Sequence, residues 1–314
     1  MRPAGVPVFT AEHVEQAVSP ERAVEAVREA FIAHYRDEWT MPPKVYVTNY
    51  PAGDFRAMPA LGGGHALLKW VTSFPGNPER GLPTVSGLVI ISNAETGLVE
   101  AVLDAGSVTA LRTGAAAVLA AETLEASHGV ASVIGVGVNG RAAARTFKAL
   151  GRDVVLWDVD EERARAVAAD LGVGIARNLE QALAADAVVT VTPGRKILIP
   201  EGSLRPGQHV SLMGADGPGK AEIAVAELQR ARIFCDEWEQ ASHGGELAAA
   251  VEAGAITRDD VTELGNVLTG DAEGRRSPDE ITIFDSTGLA IQDLAIAIAA
   301  LERADELDLP TMDV

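Results

Sequence analysis

VASVIGVGVNGRAAARTFKALGRDVVLWD, residues 130–158, reads as one β-α-β unit. An apolar strand from Val130 to Val136 runs into the turn Gly135-Val136-Gly137-Val138-Asn139-Gly140. An alanine-rich helix continues to Leu150, and a second strand, Asp153 to Trp157, ends in Asp158. Each glycine of this G-x-G-x-x-G has a physical task. Gly135 turns tightly, Gly137 admits a pyrophosphate close to the backbone, and Gly140 lets helix and strand pack. The helix start offers free N–H groups and a positive dipole end to phosphates. Gly135, Gly137, Val138, Asn139 and Gly140 are therefore the candidate cofactor loop.

Glycine-rich turns without a ligand produce the same string, and 31 of the 314 residues are glycine. Context separates the two cases: a strand precedes, a helix follows, and an acid stands 23 residues after Gly135. There the Asp158 carboxylate would accept hydrogen bonds from a ribose 2′-OH and repel a 2′-phosphate, which favours NAD over NADP.

Working outward, 47% hydrophobic residues in 314 suffice for two domains with cores of their own. No apolar run approaches the roughly 20 residues that span a bilayer, and the first residues lack the apolar stretch of a signal peptide. The expectation is a soluble, cytoplasmic protein. A net charge of −19 argues against nucleic acid or an anionic membrane as partner. Cys235 is the one cysteine, so no intramolecular disulfide forms, and its apolar setting predicts an inert buried thiol.

Ser19-Pro20-Glu21 predicts a helix start with N-cap, N1 proline and first-turn acid. The following turns put Ala23, Val24, Val27, Phe31 and His34 on one face, which makes His34 a core-edge histidine. From Met41 to Asp104 the pattern changes to strands at Lys44–Asn49, Ala66–Val71, Val85–Ser92 and Leu98–Leu103, the last two joined across Asn93–Gly97. Ser107 is expected to cap a helix running to about Ser127. Strands at Val130–Val136, Asp153–Trp157, Ala187–Val191, His209–Met213, Arg232–Asp236 and Ile281–Phe284 then alternate with helices. The fold class is α/β: a doubly wound Rossmann sheet, residues 119–288, plus a smaller, mainly antiparallel α+β domain, residues 1–118. An apolar last helix, from Leu289 to about Leu307, packs back on the smaller domain.

In such sheets ligands bind beyond the carboxyl ends of the strands, which here carry Gly135, Asp158, Thr192, Asp216, Asp236 and Asp285-Ser286. Helix capping is the plain alternative for Asp236 and Asp285. Asp216 stands in Gly-Ala-Asp-Gly-Pro-Gly-Lys, a loop with unusual backbone demands that also holds Lys220. Arg112, on an otherwise apolar helix face, could grip a carboxylate bidentately or make a structural ion pair. Lys69, inside Ala66-Leu67-Leu68-Lys69-Trp70-Val71, is either a proton relay with a desolvated ammonium or a lysine snorkelling at a sheet edge. Lys44 and Arg56 could add positive charge for a carboxylate, although Gly53-Asp54-Phe55-Arg56 can also be a turn. His243-Gly244-Gly245-Glu246 has a ligand-like spacing that no further cluster completes, so no metal is expected.

Together the strings Met41-Pro42-Pro43-Lys44, Ala57-Met58-Pro59-Ala60, Leu68-Lys69-Trp70-Val71, Phe74-Pro75-Gly76-Asn77-Pro78-Glu79-Arg80-Gly81-Leu82-Pro83-Thr84-Val85, Leu111-Arg112-Thr113-Gly114-Ala115, Gly214 to Lys220 and Phe284 to Asp293 resemble the ornithine cyclodeaminase/mu-crystallin family. Within it, Pro43-Lys44-Val45-Tyr46, Gly217 and Glu239 to Glu246 are most similar to the archaeal-type alanine dehydrogenases. Cyclodeaminase members commonly carry arginine near Lys44 and cysteine at Gly217, so both departures count against that activity. The resemblance implies a homodimer paired through the antiparallel domains, NAD on the Rossmann domain and an amino-acid or keto-acid substrate. It also implies Lys69 and Asp216 as catalytic pair, Arg112 as carboxylate clamp, and Thr84, Thr113, Asn139, Thr192 and Ser286 along the cofactor. The expected reaction is oxidative deamination of L-alanine to pyruvate and ammonia. Ornithine cyclodeamination, reduction of cyclic imines, and ligand binding without turnover are the alternatives.

Overall fold

A computed structural model describes residues 5–313 except Arg195, Asp216 and Pro218. In chain order the elements are β1 (Val6–Phe9), α1 (Ala11–Ala17), α2 (Pro20–Tyr35), β2 (Val45–Asn49), β3 (Gly53–Gly62), β4 (His65–Ser73), β5 (Val85–Asn93), β6 (Val99–Asp104) and α3 (Ala105–Leu124). Next come β7 (Ala131–Ile134), α4 (Val138–Ala149), β8 (Val154–Trp157), α5 (Glu161–Leu171), β9 (Gly174–Ile175), α6 (Leu179–Leu183), β10 (Ala187–Thr190), β11 (His209–Leu212), α7 (Val225–Gln229) and β12 (Arg232–Cys235). The chain closes with α8 (Trp238–Gly244), α9 (Ala248–Glu252), β13 (Val261–Glu263), α10 (Leu264–Thr269), β14 (Thr282–Asp285), α11 (Ala290–Leu301) and β15 (Thr311–Met312). Two compact units form, Met1–Arg112 with Leu289–Val314, and Thr113–Gly288. The boundary expected after residue 118 falls after Arg112, inside α3. No described helix is long and apolar enough to cross a membrane.

The first unit is a sheet in the order β15-β1-β6-β5-β4-β3-β2, antiparallel except where β1 lies beside β6. Burial alternates along β4: Leu67, Lys69 and Val71 are buried while Leu68 and Trp70 face out. The period of two turns successive side chains to opposite faces. Helix α11 packs on β3, β4 and β5, and α2 packs in turn against α11. Ser19 caps α2 by accepting from Arg22 N, with Pro20 at N1. Helix α11 is buried nearly all round, as a helix apolar on every side must be. It stops at Leu301, short of the expected end near Leu307.

Two further expectations change here. Gly53 to Arg56 is no turn; it opens β3, a ten-residue strand whose partners β2 and β4 hold Arg56 in register with Tyr46 and Val71. Ser107 does not cap α3, which starts at Ala105. Asp104 does that work, its Oδ1 accepting from Ser107 N at 2.7 Å. β1 and β15 are too short to show a period in sequence.

The second unit is an all-parallel sheet in the order β13-β12-β14-β11-β10-β7-β8-β9. The six strands read from the sequence are present to within a residue or two, and β9 and β13 extend the two edges. Its central strands are buried on both faces; β7 and β10 are mostly apolar, while β11 and β14 also bury His209, Ser211, Thr282 and Asp285. Cys235 is fully buried, and desolvation together with Asp236, Asp285 and Glu263 pushes its thiol well above the usual range.

Candidate active site

Lys69 lies on β4, hydrogen-bonded on both sides by β3 and β5, and is 1% exposed. It is thus an interior lysine, not one snorkelling at an edge. Its Nζ donates to Asp293 Oδ1 at 2.8 Å, and Arg112 Nε stands 3.5 Å from the same oxygen. Burial drives the Lys69 ammonium down to about 8, Asp293 resists this, and Arg112 and Arg56 add to it. The ion-pair alternative for Arg112 is thereby realised in the geometry, with its Nε buried and without a hydrogen bond among the described residues.

Asp293 is a site residue that sequence reasoning left without a role. One signal was available: an acid inside Ala-Ile-Gln-Asp-Leu-Ala-Ile, where a fully buried charge requires a partner. Arg56 is mostly buried and pairs with Asp54 at 2.6 Å, its guanidinium 5.4 Å above the Tyr46 ring. Lys44 is half-buried just before β2. Thr84 is also half-buried, and its carbonyl accepts from Phe74 N.

In the second unit the Gly135 loop follows β7. Gly135 has φ +87°, and a Cβ there would come within 2.6 Å of Val191 O. A Cβ on Gly140 would run into Gly135 O. Gly137 differs: it has ordinary dihedrals, nothing within 4 Å of a Cβ, and caps α4 without a side-chain hydrogen bond. Val138 is 72% exposed beside it. The first amides of α4, next to Asn139, therefore stand at an open, uncapped helix start, which fits a pyrophosphate.

The buried Asp158 carboxylate braces this loop, Oδ2 accepting from Val136 N at 2.8 Å and Oδ1 from Asp160 N at 2.9 Å. Thr113 Oγ1, on α3, is buried and has no hydrogen-bond partner among the described residues. One residue on, Gly114 lets α3 approach Ala142 and Ala143 of α4.

Thr192 follows β10, neighbour of β7, and its Cγ2 lies 2.8 Å from where a Gly135 Cβ would be. Its hydroxyl donates to Glu222, as does Thr190 Oγ1 at 2.6 Å. Ser286 Oγ donates to Asp236 Oδ2 at 3.0 Å, and Gly288 N donates to the same oxygen. Asp236 and Asp285 are not helix caps: the first braces the loop after β14, and the second accepts from Leu247 N. Glu222, Glu246 and Asp285 are all buried carboxyls, and desolvation raises all three, Glu246 to about 7. The loop thus brings together Gly135, Asp158 and Thr192, while Ser286 sits three strands from β7. Asp216 lies outside the described residues.

Among the described residues one group could hold a metal ion, Glu122, Glu125 and His128. Arg152 Nη1 is 2.7 Å from both glutamates, so a guanidinium already pairs with each of them.

Known proteins resemble this chain in sequence and fold. The family model described as ornithine cyclodeaminase/mu-crystallin matches residues 6–307. An alanine dehydrogenase from Archaeoglobus fulgidus is 44% identical over 95% of this chain and 94% of its own. An iminosuccinate reductase from Paracoccus denitrificans is 34% identical over 95% and 96%. A solved archaeal alanine dehydrogenase dimer with bound NAD superposes with a TM-score of 0.91 at 42% identity, covering 96% of this chain and 97% of that one. The chain belongs to the ornithine cyclodeaminase/mu-crystallin family.

Proposed function

We propose that the protein is an NAD-dependent amino-acid dehydrogenase that interconverts L-alanine with pyruvate and ammonia. The observation that carries this reading is the interior Lys69, poised at about 8 beside Arg112, a pairing suited to a substrate with one carboxylate and one titrating nitrogen. The open start of α4 at Gly137, Val138 and Asn139 supports a dinucleotide there, with Asp158, Thr113, Thr192, Thr84 and Ser286 as the further contacts the motifs suggest. Bound NAD supplies the acceptor for the hydride that leaves the substrate Cα.

The chain's own part is binding and proton transfer. Arg112, with Lys44 and Arg56 adding positive charge, holds the carboxylate. Neutral Lys69 accepts a proton as the imine forms and hydrates. Asp216 serves as second proton carrier on the strength of its motif. Alanine, NAD and water yield pyruvate, ammonium, NADH and a proton, so the balance closes.

NADH formation from purified protein and NAD, with L-alanine beside L-ornithine, tests the reading. Steady NADH from alanine is the expected result, and Lys69→Ala should lower kcat at least a hundredfold with NAD affinity unchanged. Ammonia from ornithine without net NADH would replace the reading by a cyclodeaminase, and NADH oxidation by cyclic imines alone would replace it by an imine reductase.

The same reading includes a homodimer paired through the antiparallel sheet. Its outer face aligns Val45, Ala57, Trp70 and Leu88 across four strands, and Val45, Trp70 and Leu88 are each at least 42% exposed. A contiguous apolar face of this kind supports a protein partner.

A further inference from the structure

Within the first unit two cations and one anion share a largely buried space. Lys69 is 1% exposed and Asp293 is 0% exposed, Arg112 Nε lies 3.5 Å from the carboxylate, and Asp293 Oδ2 has no hydrogen-bond partner among the described residues. A buried carboxylate is costly unless it is paired, and here its remaining acceptor stays open. Its value must then lie in what it does to the two cations.

We infer that Asp293 is a positioning residue: its carboxylate, on α11, holds the Lys69 ammonium from β4 and the Arg112 guanidinium from α3 side by side, and sets the pH at which Lys69 exchanges its proton. The charged groups facing Lys69 are Asp293 on α11, Arg112 on α3 and Arg56 on β3 with its partner Asp54. Among them Asp293 favours the ammonium, while burial and both arginines oppose it. Without Asp293, Lys69 would stay neutral far below its present midpoint and would have no proton to return. Two like charges would also be left facing each other across the gap the carboxylate now fills. The inference rests on the functional reading only for what the proton serves; the geometry and the titration are properties of the folded chain.

The chain has five lysines, so protein carrying 13C at the lysine ε-carbon resolves each of them by NMR, and Lys69→Met assigns the signal of interest. The expected midpoint for Lys69 in the parent is about 8. In Asp293→Asn it should fall by one pH unit or more, about tenfold in proton affinity. Asp293→Glu should keep it within about half a unit. The pH break of kcat/KM should move by the same amount in both directions of the reaction, a shift that a merely structural role would not produce. A folded Asp293→Asn protein with an unmoved Lys69 midpoint overturns the inference. If that variant does not fold, Asp293→Ser, smaller and also uncharged, decides: a lowered Lys69 midpoint supports the inference and an unmoved one overturns it. A shifted midpoint in a protein that turns over neither amino acid nor imine would leave the inference standing and remove the dehydrogenase reading instead.

Discussion

At Glu246 burial acts on a carboxyl as it acts on the Lys69 ammonium, driving each toward its neutral form. Glu246 Oε2 accepts from Glu222 N at 2.7 Å, Oε1 has no partner among the described residues, and Glu222 nearby opposes ionisation. With a folded value near 7 against an ordinary 4.5, the native state holds this proton more tightly. The resulting stabilisation is complete below the lower value and is lost as pH rises through the upper one. Glu246→Gln keeps an acceptor for Glu222 N and cannot ionise. It should flatten the pH dependence of unfolding and exceed the parent by about 1–3 kcal/mol near pH 8, measured by urea melts at about pH 5 and about pH 8. Equal slopes in the two proteins would mean that Glu246 is ionised throughout. Lys69 and Glu246 differ in legibility: a lysine inside an apolar strand is conspicuous, whereas Glu246 sits in a polar string whose burial depends on α8 and its neighbours.

The β7–α4 junction separates two reasons for glycine. At Gly140 the constraint is internal, since a methyl group would meet Gly135 O, and at Gly137 the space is open. Gly140→Ala should therefore destabilise the second unit by about 1–3 kcal/mol or more through overpacking. Gly137→Ala has φ −64° available to it and should leave the melting temperature nearly unchanged or slightly raised. Its effect should appear as a loss of NAD affinity of about tenfold or more, because in the proposed cofactor site the methyl would meet the approaching pyrophosphate. Calorimetry paired with NAD titration reads both, and a Gly137→Ala protein binding NAD like the parent would place the cofactor elsewhere. The G-x-G-x-x-G was legible as a motif. That two of its glycines answer to the backbone and one to open space was not.

For the molecule as a whole, the outer face of the antiparallel sheet is the feature that an isolated chain would leave exposed to water. Trp70 stacks on Phe55 at 5.8 Å between centroids and opposes Leu88 across the strand pair. Trp70→Glu should keep the fold, since the side chain is 42% exposed, and should halve the mass seen by light scattering. A parent that is monomeric at every concentration would remove the dimer from the functional reading.

Local pattern alone was enough for six of the eight parallel strands of the second unit, the start of α2 at Ser19-Pro20, and Lys69, Arg112 and the Gly135 loop as candidates. Each is written within a few consecutive residues, where hydrophobic period, cap and turn chemistry act. Only the tertiary structure joined Lys69 to Asp293 across 224 residues, turned Gly53–Arg56 into part of a ten-residue strand, and buried Glu222, Glu246 and Asp285. The reason is physical: a charge shows in sequence, but its desolvation and its partner arise only when distant elements close over it.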